Sequence, residues 1–127
     1  MLMANARATV VCVKVANIRP EWQDLRAWCE DPANVYIGRG RIVFVDVGGA
    51  KVRYPPADSV FANPFKVGKD GTREQVVAKY RAWLKGEIQR GAITRGQLEA
   101  LKGKRLGCWC HPQRCHGDVL AAVVNGL

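Results

Sequence analysis

Short runs rich in β-branched residues are spaced along this chain and predict strands. The segments with this pattern are residues 9–15, 34–37 and 104–109. The first of them is apolar throughout most of its length, which is typical of a strand buried on both faces. Residues 41–47 and 50–54 are joined by Gly48-Gly49, a dipeptide typical of a tight hairpin turn.

Helical spacing of apolar residues marks the segments between these strands. It predicts helices over residues 21–30, 72–90, 94–102 and 118–124. In the longest segment, Val76, Tyr80 and Leu84 fall on one stripe. Thr72 and Gln75 have the capping-box spacing just before that stripe, which fixes where this helix begins.

Strands that alternate with helices indicate the α/β class. We predict a single small Rossmann-like layered domain over residues 1–127, with a partly parallel sheet and a β-hairpin insertion at about 41–54; the length of 127 residues suits one domain. The chain ends in a strand–loop–helix unit. Open α/β sheets bind ligands beyond the carboxyl ends of their strands, so this unit is the expected place for a site.

Composition favours a cytoplasmic protein. The first nine residues hold one arginine and no long apolar run, unlike a secretory signal. No stretch approaches the roughly 20 apolar residues that cross a bilayer, so we expect no membrane contact. Five cysteines make an odd number, which favours thiols or metal ligands in a reducing compartment over a disulfide framework.

The formal charge of +9 is unevenly distributed. Residues 1–59 hold eight basic and six acidic side chains, whereas residues 60–127 hold twelve basic and five acidic ones. Such a bias attracts polyanions, so a nucleotide or nucleic acid is a candidate partner. The alternative is that the excess charge only keeps a small protein in solution.

The most distinctive chemistry lies between Cys108 and Asp118. Cys108 and Cys110 are two residues apart, so on a strand both face the same side. Cys115 and His116 directly precede a predicted helix, where backbone N–H groups favour anions. We therefore expect the pKa of the Cys115 thiol to be lowered.

Three hypotheses account for this cluster. Cys108, Cys110, Cys115 and His116 supply four ligands for a tetrahedral zinc ion, although their spacing differs from paired C-x2-C knuckles. Alternatively, Cys110 or Cys115 is a catalytic nucleophile, His116 is the acid–base group and Asp118 orients its ring. The third hypothesis is structural, with the cysteines acting as small apolar side chains in the core.

Four further side chains are candidates for binding a ligand or its phosphate. Arg39 follows a strand between two glycines, which allows a close approach to its backbone. Asn63 is held extended by the proline after it and presents an amide. Lys66 and Arg73 lie near the start of the long helix. Each also has a plain interpretation as part of a turn or a solvated basic face.

The chain resembles the family known as domain of unknown function 4326 over about residues 34–124. The motifs that carry the resemblance include VYIGR at 35–39, NPF at 63–65, GCWC at 107–110 and CHGDVL at 115–120. The family is small and frequent in bacteriophages and bacteria, so the resemblance implies a bacterial cytoplasm or a phage-infected host cell. Against its pattern, this chain inserts the hairpin at 41–54 and has Ala62 where glycine is expected.

The resemblance implies that six side chains belong to one shared pattern and converge on one pocket: Arg39, Asn63, Cys110, Cys115, His116 and Asp118. The preferred hypothesis is a pocket that binds or processes a nucleotide or a nucleic-acid component. The alternative is a non-catalytic phage-type protein that binds a host protein or nucleic acid, with a structural or zinc-binding Cys/His cluster. Convergence of the motif residues on a concave surface would favour the first hypothesis.

Overall fold

A computed structural model describes residues 6–110 and 113–127 as a mixture of helices and strands. The strands are β1 (Thr9–Cys12), β2 (Asn34–Tyr36), β3 (Val43–Val47), β4 (Ala50–Tyr54) and β5 (Arg105–Cys108). The helices are α1 (Val15–Ile18), α2 (Leu25–Glu30), α3 (Arg73–Gln89), α4 (Arg95–Glu99) and α5 (His116–Asn125). This confirms the α/β class.

The parallel sheet has β5 at its centre, between β1 and β2. Its register aligns Val10, Leu106 and Val35 in one row, and these residues pack into the larger core with α3 and α5. The next row places Gly107 against Trp28 in a smaller core on the other face. The sheet is therefore covered on both faces, as the valine-rich strands predict.

The hairpin forms a sheet of its own. β3 and β4 pair with each other and are separate from the parallel strands, whereas we expected the hairpin to belong to the main sheet. Gly48 and Gly49 adopt positive φ angles of 59° and 87°, which gives the tight turn that their sequence predicts. The Rossmann-like layering and the single-domain organisation stay predictions.

Local capping explains where the helices begin. The capping box of α3 forms as predicted, with Thr72 accepting from the backbone of Gln75, and α4 has the same arrangement at Thr94 and Gln97. The predicted helix at 21–30 starts only at Leu25, because the side chain of Asp24 caps it through the N–H of Ala27. The predicted strand at 9–15 ends at Cys12, since α1 begins three residues later.

The last helix begins two residues earlier than the apolar pattern predicts. α5 starts at His116, because the carboxylate of Asp118 accepts the backbone N–H of Cys115 at 3.1 Å. The parallel strands all end at the same edge of the sheet, and α5 begins there too. Within the described residues, no helix has the length and apolar character that a membrane crossing requires.

Candidate functional site

A cavity of about 430 Å³ opens at the carboxyl edge of the parallel sheet. Among the predicted site residues, its lining includes Arg39, Asn63, Arg73, Cys108, Cys110, Cys115 and His116. These residues come from four separate parts of the sequence, so the motifs do meet around one concave surface. Lys66 and Asp118 lie outside this lining. That these residues act in binding or catalysis stays a prediction.

Arg39 hydrogen-bonds to the segment at 63–65, which contributes residues to the cavity lining. Its Nη2 atom donates to the backbone carbonyls of Asn63 at 2.9 Å and Phe65 at 3.0 Å. The side chain of Asn63 continues the connection, accepting the N–H of Phe65 and donating to the carbonyl of Val76 in α3. The motif arginine and the motif asparagine thus shape the loop as well as facing the cavity.

Two more arginines face the same space. Arg73, in the first turn of α3, donates to the backbone carbonyl of Arg114 at 3.1 Å. Arg114 also lines the cavity, so three arginines contribute to its lining. Among the described lining residues there is no aspartate or glutamate, so the side-chain charge of the cavity is positive.

Aromatic side chains also line the cavity. Tyr36, Phe65 and Trp109 all line it, and Trp109 keeps 39% of its surface exposed. The hydroxyl of Tyr36 donates to the carbonyl of Arg39 at 2.7 Å. The ammonium of Lys14 lies 5.9 Å from the ring centroid of Trp109, within the distance of a cation–π interaction.

These aromatic residues were not among the side chains predicted from the sequence to form a site. Tyr36 and Trp109 belong to short motifs in which the predicted binding or catalytic residues were the neighbouring arginine and cysteines. The available signal was their position at the carboxyl ends of β2 and β5, where ligands bind in open α/β sheets.

Cys108 and Cys115 contact each other at the base of the cavity. Their exposures are 1% and 3%, and their Sγ atoms lie 3.2 Å apart. The hydrogen bond with Cys108, together with burial, raises the pKa of Cys115 well above its usual range. Our expectation of a lowered pKa was wrong, because these effects outweigh the nearby helix N-terminus.

His116 is 8% exposed, and its ring is held from two sides. Its Nε2 lies 2.7 Å from the carbonyl oxygen of Ile37, and Tyr80 packs against it edge-on with ring centroids 4.9 Å apart. Burial lowers the pKa of His116, and the charge of Arg39 lowers it further. The ring is therefore neutral at pH 7.

Asp118 and Lys66 form hydrogen bonds with nearby residues in the chain. The carboxylate of Asp118 accepts the N–H of Cys115, so it caps α5, and the contact that orients His116 is the carbonyl of Ile37. The backbone N–H of Lys66 donates to Asp70, and its side chain is exposed.

The zinc hypothesis stays a prediction. Within residues 6–110 and 113–127, no three or more His, Cys, Asp or Glu side chains are arranged to hold a metal ion. Positions 111 and 112, inside the predicted C-terminal cluster, lie outside the described residues.

Comparison with known proteins places the chain among phage-associated sequences. A family model described as Domain of unknown function (DUF4326) matches residues 21–126. An "Uncharacterized 12.4 kDa protein in nrdA-td intergenic region" of Enterobacteria phage T4 is 47% identical over 62 residues, which are 48% of this chain. The aligned part spans 57% of the length of that relative. No solved structure matches.

Proposed function

The chain belongs to the family described as Domain of unknown function (DUF4326), and from this premise we propose that its cavity binds a nucleotide or a nucleotide-like component of nucleic acid. The family resemblance inferred from the motifs is thereby confirmed, together with its phage association. The observation that carries the proposal is the pairing of arginines with aromatic side chains around one cavity that has no carboxylate among its described lining residues.

The phosphate end of the ligand is assigned to Arg73 and Arg114. A guanidinium offers several N–H donors in a planar fork that matches phosphate oxygens. Arg39 already donates through Nη2 to two carbonyls, so its main contributions are loop shape and positive charge. An anion in this cavity is attracted by three guanidiniums in a partly water-excluded space, where charge interactions are stronger than in bulk water.

The base end of the ligand is assigned to Trp109 and Phe65. Stacking of a base on an aromatic ring contributes about 1–3 kcal/mol and tolerates different bases. Trp109 lines the cavity and keeps 39% of its surface exposed, and Ile42 and Val67 contribute apolar side chains to the same lining. A cavity of about 430 Å³ is within the range typical of small-molecule sites.

If the bound ligand is also processed, Cys110 is the better nucleophile of the motif cysteines. Its side chain is half-buried in the cavity lining, whereas Cys115 is buried with a raised pKa. His116, neutral at pH 7, supplies the acid–base group. A Cys110→Ser variant that turns over a ligand as fast as the parent protein would remove Cys110 from the chemistry.

Isothermal titration calorimetry tests the binding proposal directly. The ligands are nucleoside mono-, di- and triphosphates, inorganic phosphate and a short single-stranded oligonucleotide, each at low and at moderate salt. We expect saturable binding of one phosphorylated nucleoside per chain. Arg73→Gln should weaken it by roughly tenfold or more, the loss expected for one charge-assisted hydrogen bond.

Lys85→Gln is the matched control, since Lys85 lies on the exposed face of the same helix and outside the cavity lining. It removes the same charge and should leave affinity nearly unchanged. If both variants lower the affinity equally, binding depends on the net charge of the protein and not on Arg73 itself. Absence of binding to every ligand at low salt would refute the proposal and favour the non-catalytic alternative, a host-protein partner.

Binding of the oligonucleotide but of no mononucleotide, with a steep salt dependence, would favour a non-catalytic protein that binds nucleic acid on its surface. The feature that supports this second candidate is the excess of basic side chains in residues 60–127. Binding of a mononucleotide therefore distinguishes a nucleotide-binding cavity from a surface that binds only nucleic acid.

A further inference from the structure

Two sulfurs at the base of the cavity are placed for a covalent bond. Cys108 ends the central strand β5, Cys115 directly precedes α5, and their Sγ atoms are 3.2 Å apart. A disulfide bond is about 2.05 Å long, so an approach of roughly 1.2 Å closes the pair. We propose that Cys108 and Cys115 form a reversible disulfide, which makes this wall of the cavity a redox modification site.

The other cysteines are placed differently. The sulfur of Cys12 contacts the side-chain amide of Asn17 at 3.3 Å and the carbonyl of Trp109 at 3.9 Å. Cys29 packs into the smaller core on the opposite face of the sheet, where its thiol interacts with Tyr54. The 3.2 Å contact between the sulfurs of Cys108 and Cys115 makes them the pair best placed for oxidation.

Closing this bond acts on the cavity itself. The six residues between the two cysteines include Trp109, Cys110 and Arg114, which all line the cavity. The bond would draw the start of α5 towards the end of β5 and tie together the two ends of this loop. The aromatic and guanidinium groups carried by the loop would shift with it.

The oxidant is a small-molecule disulfide such as glutathione disulfide, which reaches the sulfurs through the cavity. One cysteine thiolate attacks the reagent, forms a mixed disulfide and releases one molecule of the small thiol. The second cysteine then attacks the protein sulfur of the mixed disulfide and releases the other. Two cysteine sulfurs are oxidised, one reagent disulfide is reduced, and the two thiol protons leave on the two small thiols.

The reaction should be slower than that of a surface thiol. Both sulfurs are almost fully buried, and their contact raises the pKa of Cys115, so little thiolate is present at neutral pH. The fraction of the pair that is oxidised at equilibrium should rise with the ratio of disulfide to thiol in the buffer.

Mass spectrometry of the full chain in glutathione buffers of increasing oxidation tests the proposal. We expect an oxidised species that is lighter by the mass of two hydrogen atoms and returns to its original mass with dithiothreitol. Trypsin cleaves after Arg114, between the two cysteines, so the bond should link residues 106–114 to residues 115–127.

Two variants assign the bond. Cys110→Ser should keep the cross-link at full yield, which identifies Cys108 as the partner within the first peptide. Cys115→Ser should abolish it while preserving the start of α5, because serine is a favoured residue before a helix.

Three results would overturn the proposal: a bond that requires Cys110, glutathione adducts without an internal bond, or disulfide-linked dimers. Zinc is measured in the same samples before and after oxidation. Release of one zinc ion per chain as the thiols disappear would assign the sulfurs to a metal and would also overturn it.

Discussion

The Nε2 atom of His116 lies 2.7 Å from the carbonyl oxygen of Ile37, which ties the first residue of α5 to the residue after β2. A carbonyl oxygen only accepts hydrogen bonds, so Nε2 carries the proton in the neutral ring and Nδ1 has the lone pair. This contact spans 79 positions in sequence and crosses the edge of the sheet where the cavity opens.

Stability should depend on pH through His116. Its pKa is lowered from 6.5 in the folded protein by burial, so the unfolded chain binds the proton more readily. As the pH falls through 6.5, the free energy of unfolding should decrease by at most about 1.4 kcal/mol per pH unit. The decrease should level off below the folded pKa. Urea denaturation at intervals between pH 8 and pH 5.5 measures it.

The chain has one other histidine, which provides the control. His116→Gln should flatten the pH dependence in this range, and His111→Gln measures the contribution of the other histidine. If His116→Gln does not fold, an NMR titration of the His116 ring in the parent protein gives the same information. A ring that titrates at or above pH 6.5 would contradict the prediction.

The convergence of the motifs was predictable from the sequence. Arg39 and Cys110 each follow a predicted strand, and parallel strands end at the same edge, so their meeting needs only the sheet to be parallel. The start of α3 was also predictable, because the Thr72–Gln75 capping box is local. A capping box depends only on residues close together in sequence, so it can be predicted without knowledge of the tertiary structure.

Features that depend on distant contacts were not predictable. The pKa of Cys115 is set by Cys108 and by burial, so the expected effect of the helix N-terminus gave the wrong direction. The hairpin has the same sequence signature whether it joins the main sheet or stands apart from it. The role of Asp118 was ambiguous because capping α5 and orienting His116 both suit a carboxylate at that position.

Gly107 should be intolerant of a methyl group. A Cβ added there would lie 2.5 Å from Cη2 of Trp28 and 2.6 Å from Cγ1 of Val13, both within the smaller core. Gly107→Ala should therefore lower the free energy of unfolding by about 1–3 kcal/mol. Urea denaturation of the variant and the parent measures the change.

Gly86→Ala is the matched control on α3. A Cβ at this position meets no atom within 4 Å, and alanine favours the helical conformation. It should raise the free energy of unfolding by about 0.5–1 kcal/mol. Destabilisation by both substitutions would show that close packing around Gly107 is not the cause.

Arg39 should influence both the loop at 63–65 and the ionisation of His116. Arg39→Gln removes the guanidinium that donates to Asn63 and Phe65, which should cost about 1.5–3 kcal/mol of stability. It also removes a charge that lowers the pKa of His116, so that pKa should rise. Denaturation and an NMR titration of His116 measure the two effects.

Arg39→Lys separates these effects, because lysine keeps the charge but has no planar fork. The pKa of His116 should stay closer to that of the parent protein, while part of the stability is still lost. A pKa that rises equally in both variants would attribute the shift to loop movement instead of charge.

Tyr80 should be more sensitive than Tyr36 to the loss of its hydroxyl. Tyr80 is fully buried and donates to the carbonyl of Phe61 at 2.8 Å, whereas Tyr36 is half-buried and donates to Arg39. Tyr80→Phe leaves a buried carbonyl unsatisfied and should cost about 1–3 kcal/mol. Water can replace the hydroxyl of Tyr36, so Tyr36→Phe should cost about 1 kcal/mol or less. Equal losses in urea denaturation would show that burial does not set the cost of these hydrogen bonds.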